Sequence, residues 1–182
     1  MSRSASLRVV AAPILFGLTL GSMAQTGPPV TTTLTVAGNV AQPLTLTVED
    51  LKRYPVHRVE YAPGDNRTHD TRTEGPRRYT GCLLRDVLAA AKPTENQPRG
   101  LRRSYVVAGA SDGYEVVFSW AELFVSLFGD SVLVVYERDG APLPDDEGRI
   151  ALIAASDARP VRHVKWLRTL RLEMASTRAV GQ

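Results

Sequence analysis

The alternation of apolar and polar positions divides the chain into short strands with few helices. Leu34 to Val40 alternates, and Leu44 to Val48 does so again across a corner at Pro43, so both predict strands. Thr47 to Tyr54 has the look of a short helical turn stopped by Pro55, and Val56 to Tyr61 is a third strand. Ala62 to Arg78 has no apolar face and is rich in Gly, Pro, Asp, Asn, Thr and Arg, which predicts a long exposed loop. Leu83 to Ala91 places Leu84, Val87, Leu88 and Ala91 on one helical face and ends before Lys92-Pro93.

Ser104 to Ala108 and Tyr114 to Phe118 read as strands joined through Ser111-Asp112-Gly113, which has hairpin turn chemistry. Ser119 and Glu122 have capping-box spacing and open a helix expected to run to about Phe128, with Gly129 ending it. Ser131 to Tyr136 and Ile150 to Ala155 are nearly continuous apolar runs, as buried strands require. Arg138-Asp139-Gly140 turns the chain between them, and Lys165 to Glu173 alternates as a last strand. Strands come in runs rather than in regular strand-helix units. The expected fold class is therefore α+β, β-rich, with mixed or antiparallel sheets and short helices.

The termini change the picture of domain organisation. Arg3 and Arg8 precede an apolar run from Val9 to Leu20, followed by Gly21-Ser22-Met23-Ala24-Gln25 with small residues at the two positions a signal peptidase reads. This predicts a signal peptide over residues 1–24 and a periplasmic protein exported unfolded, because the two arginines are not adjacent. A retained anchor is the alternative, although the run is shorter than the roughly 20 apolar residues a span needs and contains Pro13. The expected division is a flexible leader over 25–33, one domain over 34–174 and a C-terminal tail over 175–182. Removing 24 of 182 residues leaves a length suited to one domain.

The net charge of +3 counts Arg3 and Arg8, so the exported part is close to neutral, which removes any global electrostatic case for nucleic acid. Nearly all basic residues are arginine, which suits two-pronged recognition of carboxylate or phosphate and equally fits a biased genome. Cys82 is the single cysteine, so an intramolecular disulfide is excluded. It is read as a small buried residue. His57, His69 and His163 have no metal-ligand spacing. No nucleophile-base pair, paired catalytic carboxylates or phosphate loop stands out.

Four stretches carry a resemblance. Val36-x-Gly38-x-Val40 with Pro43, Leu44, Leu46 and Asp50-Leu51-x-x-Tyr54-Pro55 comes first, followed by Tyr79-x-Gly81-x-Leu83-Leu84-x-Asp86-x-Leu88. Ala110-Ser111-Asp112-Gly113-Tyr114 and Asp157 to Trp166 complete the set. In this order they resemble the molybdopterin-binding domain of the sulfite-oxidase family. That resemblance implies the family's fold and a pterin cofactor, either molybdopterin or a reduced free pterin. In the family's enzymes a cysteine binds molybdenum after the strand that ends here near Tyr61, but this chain reads Glu60-Tyr61-Ala62-Pro63-Gly64-Asp65-Asn66-Arg67 there. Neither Tyr61 nor Asp65 replaces a soft thiolate, so molybdenum is not expected.

The pterin-binding residues the resemblance implies are Arg162 and Lys165, with Asp157, Asp112, Tyr114, Trp120, His163 and Arg67 as additions. A flat polar bicycle needs a plane to stack on and acceptors for its amino edge. Second readings stand beside several of these. Asp112 either contacts ligand or only forms the turn, Trp120 and Trp166 either stack on ligand or belong to the core, and Arg162 either binds ligand or pairs with Asp157. His163 and Arg162 alternate across an expected strand start, so at most one of them faces a pocket.

The chain also resembles small exported proteins of this fold that lack the metal cysteine, bind reduced pterins and signal to membrane proteins of cyclic-di-GMP control. The function so implied is a periplasmic, non-catalytic pterin sensor. Its partner would be the periplasmic domain of a membrane diguanylate cyclase or phosphodiesterase, with no nucleic acid and no membrane insertion after signal cleavage. The alternatives are a subunit of a molybdopterin-dependent oxidoreductase and a protein-interaction module with no small ligand.

Overall fold

The computed structural model describes residues 30–62, 75–95 and 99–175. The expected signal segment, most of the expected leader, Arg67 and nearly all of the expected C-terminal tail lie outside them. The described elements are β1 (Thr33–Gly38), β2 (Leu44–Thr47), α1 (Val48–Leu51), β3 (His57–Tyr61), β4 (Arg77–Leu83), α2 (Leu84–Ala90), β5 (Ser104–Ala110), β6 (Glu115–Ser119), α3 (Trp120–Phe124), β7 (Val132–Arg138), β8 (Ala141–Pro142), β9 (Ala151–Ala154) and β10 (Leu167–Met174). Single 3-10 turns occupy Gly100–Arg103, Leu127–Ser131 and Pro160–Arg162. None of the described helices is long and apolar enough to cross a membrane.

Two sheets result. The first has the order β2-β1-β10-β5-β6, with β1 and β10 parallel and the other pairs antiparallel. The second runs β3-β4-β7-β8, with β9 also pairing β7, all antiparallel. The α+β, mixed-sheet expectation holds.

The second sheet is buried on both faces, which explains why β7 and β9 are apolar throughout. Val132, Val134 and Tyr136 of β7, with Leu152 and Ala154 of β9, join the main core, which also takes Leu34, Val36, Leu170 and Leu172 from the first sheet and Leu84, Val87 and Leu88 from α2. The alternate residues Leu133, Val135, Ala151 and Ile153 face a second, smaller core with Tyr61, Tyr79, Leu83 and Leu143. Successive side chains of a strand point to opposite faces, so Cys82 enters the main core while its neighbour Leu83 enters the smaller one.

Glycine explains two of the quoted motifs. Gly38 has φ +93°, and a Cβ there would lie 2.2 Å from the Leu172 carbonyl oxygen of β10. At Gly81 a Cβ would lie 2.1 Å from the Val134 carbonyl oxygen, beside the register shift in the β4–β7 pairing. Both glycines allow neighbouring strands to approach.

The structure corrects several boundaries. The expected loop Ala62 to Arg78 ends early, because Arg77 begins β4, a strand paired on both sides. Its first residues are polar, so backbone pairing rather than an apolar pattern defines it. The capping box of Ser119 and Glu122 is present, but α3 stops at Phe124. Ser126 is extended and its hydroxyl accepts from the Phe128 amide, which starts a separate 3-10 turn. The last strand begins at Leu167 rather than Lys165, since Trp166 has φ +49° and closes a turn. Arg162 and His163 stand at the end of a 3-10 turn, not at a strand start.

Candidate functional site

The segment from Asp157 to Trp166 lies between the β5–β6 hairpin and the smaller core. Pro160 opens its 3-10 turn, where its fixed φ and missing N–H cost nothing. The Tyr114 hydroxyl donates to the Val161 carbonyl, and the Ser111 amide donates to the Trp166 carbonyl. Trp166 ties the segment to the loop after β8, its Nε1 donating to the Asp145 carbonyl at 2.8 Å and its amide to the Glu147 carbonyl at 2.7 Å. The Val164 amide donates to the Leu152 carbonyl and the Val164 carbonyl accepts from the Leu152 amide, which docks the segment on β9. Sequence-distant residues are thereby brought to one corner.

Arg162 is fully engaged there. It donates from Nε and Nη2 to the two carboxylate oxygens of Asp157, at 2.7 and 2.6 Å, and from Nη1 to Glu122 at 3.1 Å. Its guanidinium carbon lies over the rings of Phe118 and Phe128, 4.7 and 4.6 Å from their centroids. Burial alone would raise the Glu122 carboxyl pKa, but Ser119 and Arg162 together hold it below the ordinary value. The geometry is that of a clamp joining the 157–162 segment to α3, as in the second reading of the sequence.

His163 points the other way, into the smaller core, and is 5% exposed. Its ring meets Tyr61 edge-on with centroids 5.6 Å apart and Tyr79 at 6.2 Å, while Tyr61 and Tyr79 meet at 5.9 Å. Beneath them Glu147, only 1% exposed, accepts from the Tyr79 hydroxyl at 3.2 Å and pairs with Arg138. Its Oε2 lies 3.7 Å from His163 Nε2, too far for a hydrogen bond. Burial pushes the Glu147 carboxyl pKa up, but His163, Arg138 and Lys165 outweigh it and hold the net value below the ordinary one. Both phenols titrate above their ordinary value, chiefly through burial. Tyr79 and then Asp157, Glu147 and Tyr114 add to the effect on Tyr61, as Glu147 does on Tyr79.

Of the residues expected from the sequence, Arg162, Asp157, Tyr114, His163 and Lys165 converge on this corner. Asp112 is exposed and accepts from the Tyr114 amide at 3.0 Å, closing the hairpin turn. Trp120 stacks on Phe124 at 3.8 Å and packs against the main core. Arg67 lies outside the described residues. The sequence reading missed Tyr79, Glu147 and Arg138 as a polar group, and no local pattern marks a carboxylate between Asp146 and Gly148 as buried.

The sole cysteine is on the wrong face for this corner. Cys82 is fully buried in the main core, and burial first, with Asp86 adding, pushes its thiol up to about 12. Ligation needs the thiolate, so a thiolate-bound molybdenum does not fit the donors present. The rings and polar groups of this corner are of the kind an organic pterin's edge uses, with the Tyr114 hydroxyl already given to the Val161 carbonyl.

Two sheets with few short helices, closed at one corner by the 157–166 segment, define the fold of a sulfite-oxidase-type molybdopterin-binding domain. The chain belongs to the family described as oxidoreductase molybdopterin binding domain, whose model matches residues 23–180. The fold is similar to that in the crystal structure of the sulfane dehydrogenase SoxCD from Paracoccus pantotrophus, with a TM-score of 0.60 and 20% identity. The match covers 81% of this chain and 39% of that one. Comparison with curated proteins gives no match.

Proposed function

We propose that this chain is an exported, non-catalytic pterin-binding protein that uses the molybdopterin-domain fold without a molybdenum thiolate. The observation that carries this reading is the position of Cys82, sealed in the main core on the opposite face of the second sheet from Tyr61 and His163. The protein keeps the rings and hydrogen-bonding groups that an organic heterocycle uses and has no sulfur for the metal. The Sec-type signal read from residues 1–24 supports a periplasmic location, and a protein exported unfolded would meet a free reduced pterin rather than the preassembled metal cofactor. Its output would pass to the periplasmic domain of a membrane diguanylate cyclase or phosphodiesterase, by analogy with the small exported proteins the sequence resembles.

The oxidoreductase reading is favoured by the family match alone. Calorimetric titration of the exported protein with 6-methyltetrahydropterin, without molybdate, separates the two. Saturable one-to-one binding supports the proposal. No binding, together with molybdenum-dependent turnover of an oxidisable substrate, favours the oxidoreductase.

A further inference from the structure

We propose that the free edge of β6 pairs with β6 of a second copy of this chain, antiparallel about Val116, so that the first sheets of two molecules join into one.

The register of the β5–β6 hairpin decides which backbone groups are open. Antiparallel partners alternate between hydrogen-bonded and non-hydrogen-bonded pairs. The Ala110 amide donates to the Tyr114 carbonyl, and the partners then run without a shift from Gly109 and Glu115 to Tyr105 and Ser119. Val116 and Phe118 therefore exchange their bonds with β5, while Glu115, Val117 and Ser119 turn amide and carbonyl the other way. The Ser119 amide is taken by the Glu122 carboxylate at 2.7 Å, as part of the α3 cap. No described residue bonds to the backbone of Glu115 or Val117, and β6 stands last in its sheet. Two amides and two carbonyls are left open along one edge.

Proteins usually blunt such edges with charge, proline, a bulge or shortness, and the other edges here follow that rule. β2 is four residues long, follows Pro43 and runs straight into α1. β3 carries exposed Arg58 and Glu60, β8 is two residues ending in Pro142, and β9 is bridged by Val164. β6 instead has Val116, Val117 and Phe118 in succession, with one charge, Glu115, that Arg171 engages at 3.1 Å. Val117 is 53% exposed. Tyr114 and Val161, joined by their hydroxyl-to-carbonyl bond, add exposed apolar surface at the start of the strand.

The edge is complementary to itself. With Val116 opposite Val116, Glu115 of each copy lies opposite Val117 of the other. Every open amide and carbonyl of both copies is then paired, and no like charges stand directly opposite. The neighbouring register, Val117 opposite Val117, would set Glu115 against Ser119, whose amide is already used. A contact of this kind uses the same patch on both molecules and closes at two copies.

Sedimentation equilibrium of the purified protein from micromolar to millimolar concentration tests the pairing. Wild type should show a monomer–dimer equilibrium. Val117→Glu sets a carboxylate opposite Glu115 twice per dimer and should weaken the dimer about tenfold. Val117→Lys sets an ammonium there instead and should leave the dimer within about threefold of wild type, or tighter. Because Val117 is half exposed, both variants should melt like wild type. A wild type that stays monomeric overturns the proposal. Equal weakening by glutamate and lysine also overturns it, since that marks apolar contact without this register. Equal retention overturns it as well and puts the dimer interface elsewhere. Should Val117→Glu not fold, Val117→Lys decides, a clear loss of the dimer counting against the register.

Discussion

The guanidinium of Arg162 and the carboxylate of Asp157 meet as two parallel forks, Nε to Oδ2 at 2.7 Å and Nη2 to Oδ1 at 2.6 Å. Lysine keeps the charge but cannot reproduce the paired donors or the contact with Phe118 and Phe128. Arg162→Lys should cost roughly 1.5 to 3 kcal/mol, the usual worth of charge-assisted hydrogen bonds, read as a lower denaturation midpoint. Pterin affinity of the folded variant should change little. A large affinity loss at unchanged stability would show that Arg162 leaves its clamp to hold ligand.

Glu147 sets a pH dependence. Its folded pKa lies below the ordinary value, so the ionised carboxylate contributes stability that is fully present above the unfolded value of about 4.3. That stability is lost as pH falls through the lower folded value. Glu147→Gln should lose about 2 to 3 kcal/mol near neutral pH, below the figure for a fully buried broken pair because Arg138 is 24% exposed. The gap between variant and wild type should narrow as pH drops below about 4. Urea melts at several pH values measure it, and a gap that widens in acid would refute the assignment.

Cys82 should be inert. With its thiol pushed up to about 12 and no exposed surface, it should react with a disulfide reagent only on unfolding. Cys82→Ala should cost roughly 1 to 2 kcal/mol, a small-cavity truncation, with pterin affinity unchanged. Rapid labelling of the native protein would contradict the buried placement.

Gly81→Ala should be far more damaging than its size suggests, because the new methyl would lie 2.1 Å from the Val134 carbonyl oxygen and β4 would have to move off β7. A loss on the order of 3 kcal/mol, or failure to fold, is expected. A thermal midpoint like that of wild type would mean that the two strands separate cheaply.

Much of the fold was legible because its signals are local. Continuous apolar runs announced β7 and β9, Asp112-Gly113 announced the hairpin, and Ser119 with Glu122 announced the start of α3. The end of α3 was missed because Ser126 competes as a second cap within an apolar stretch. β4 was missed because Arg77 and Arg78 carry no apolar pattern, and its strand state comes from two partners distant in sequence. The corner was half legible. Arg162, Asp157 and His163 came from a motif, whereas Glu147 becomes a buried carboxylate only when β4 brings Tyr79 and β7 brings Arg138 to it.

The central claim is pterin binding without a thiolate-held metal, and its most direct test is elemental analysis of the native protein. Cells are grown with molybdate, the protein is purified without chelator, and molybdenum and extractable pterin are measured on the same sample. The account predicts substoichiometric molybdenum in a protein that takes up a reduced pterin one to one. Stoichiometric molybdenum with co-purified molybdopterin would contradict it, and would require a metal ligand other than Cys82.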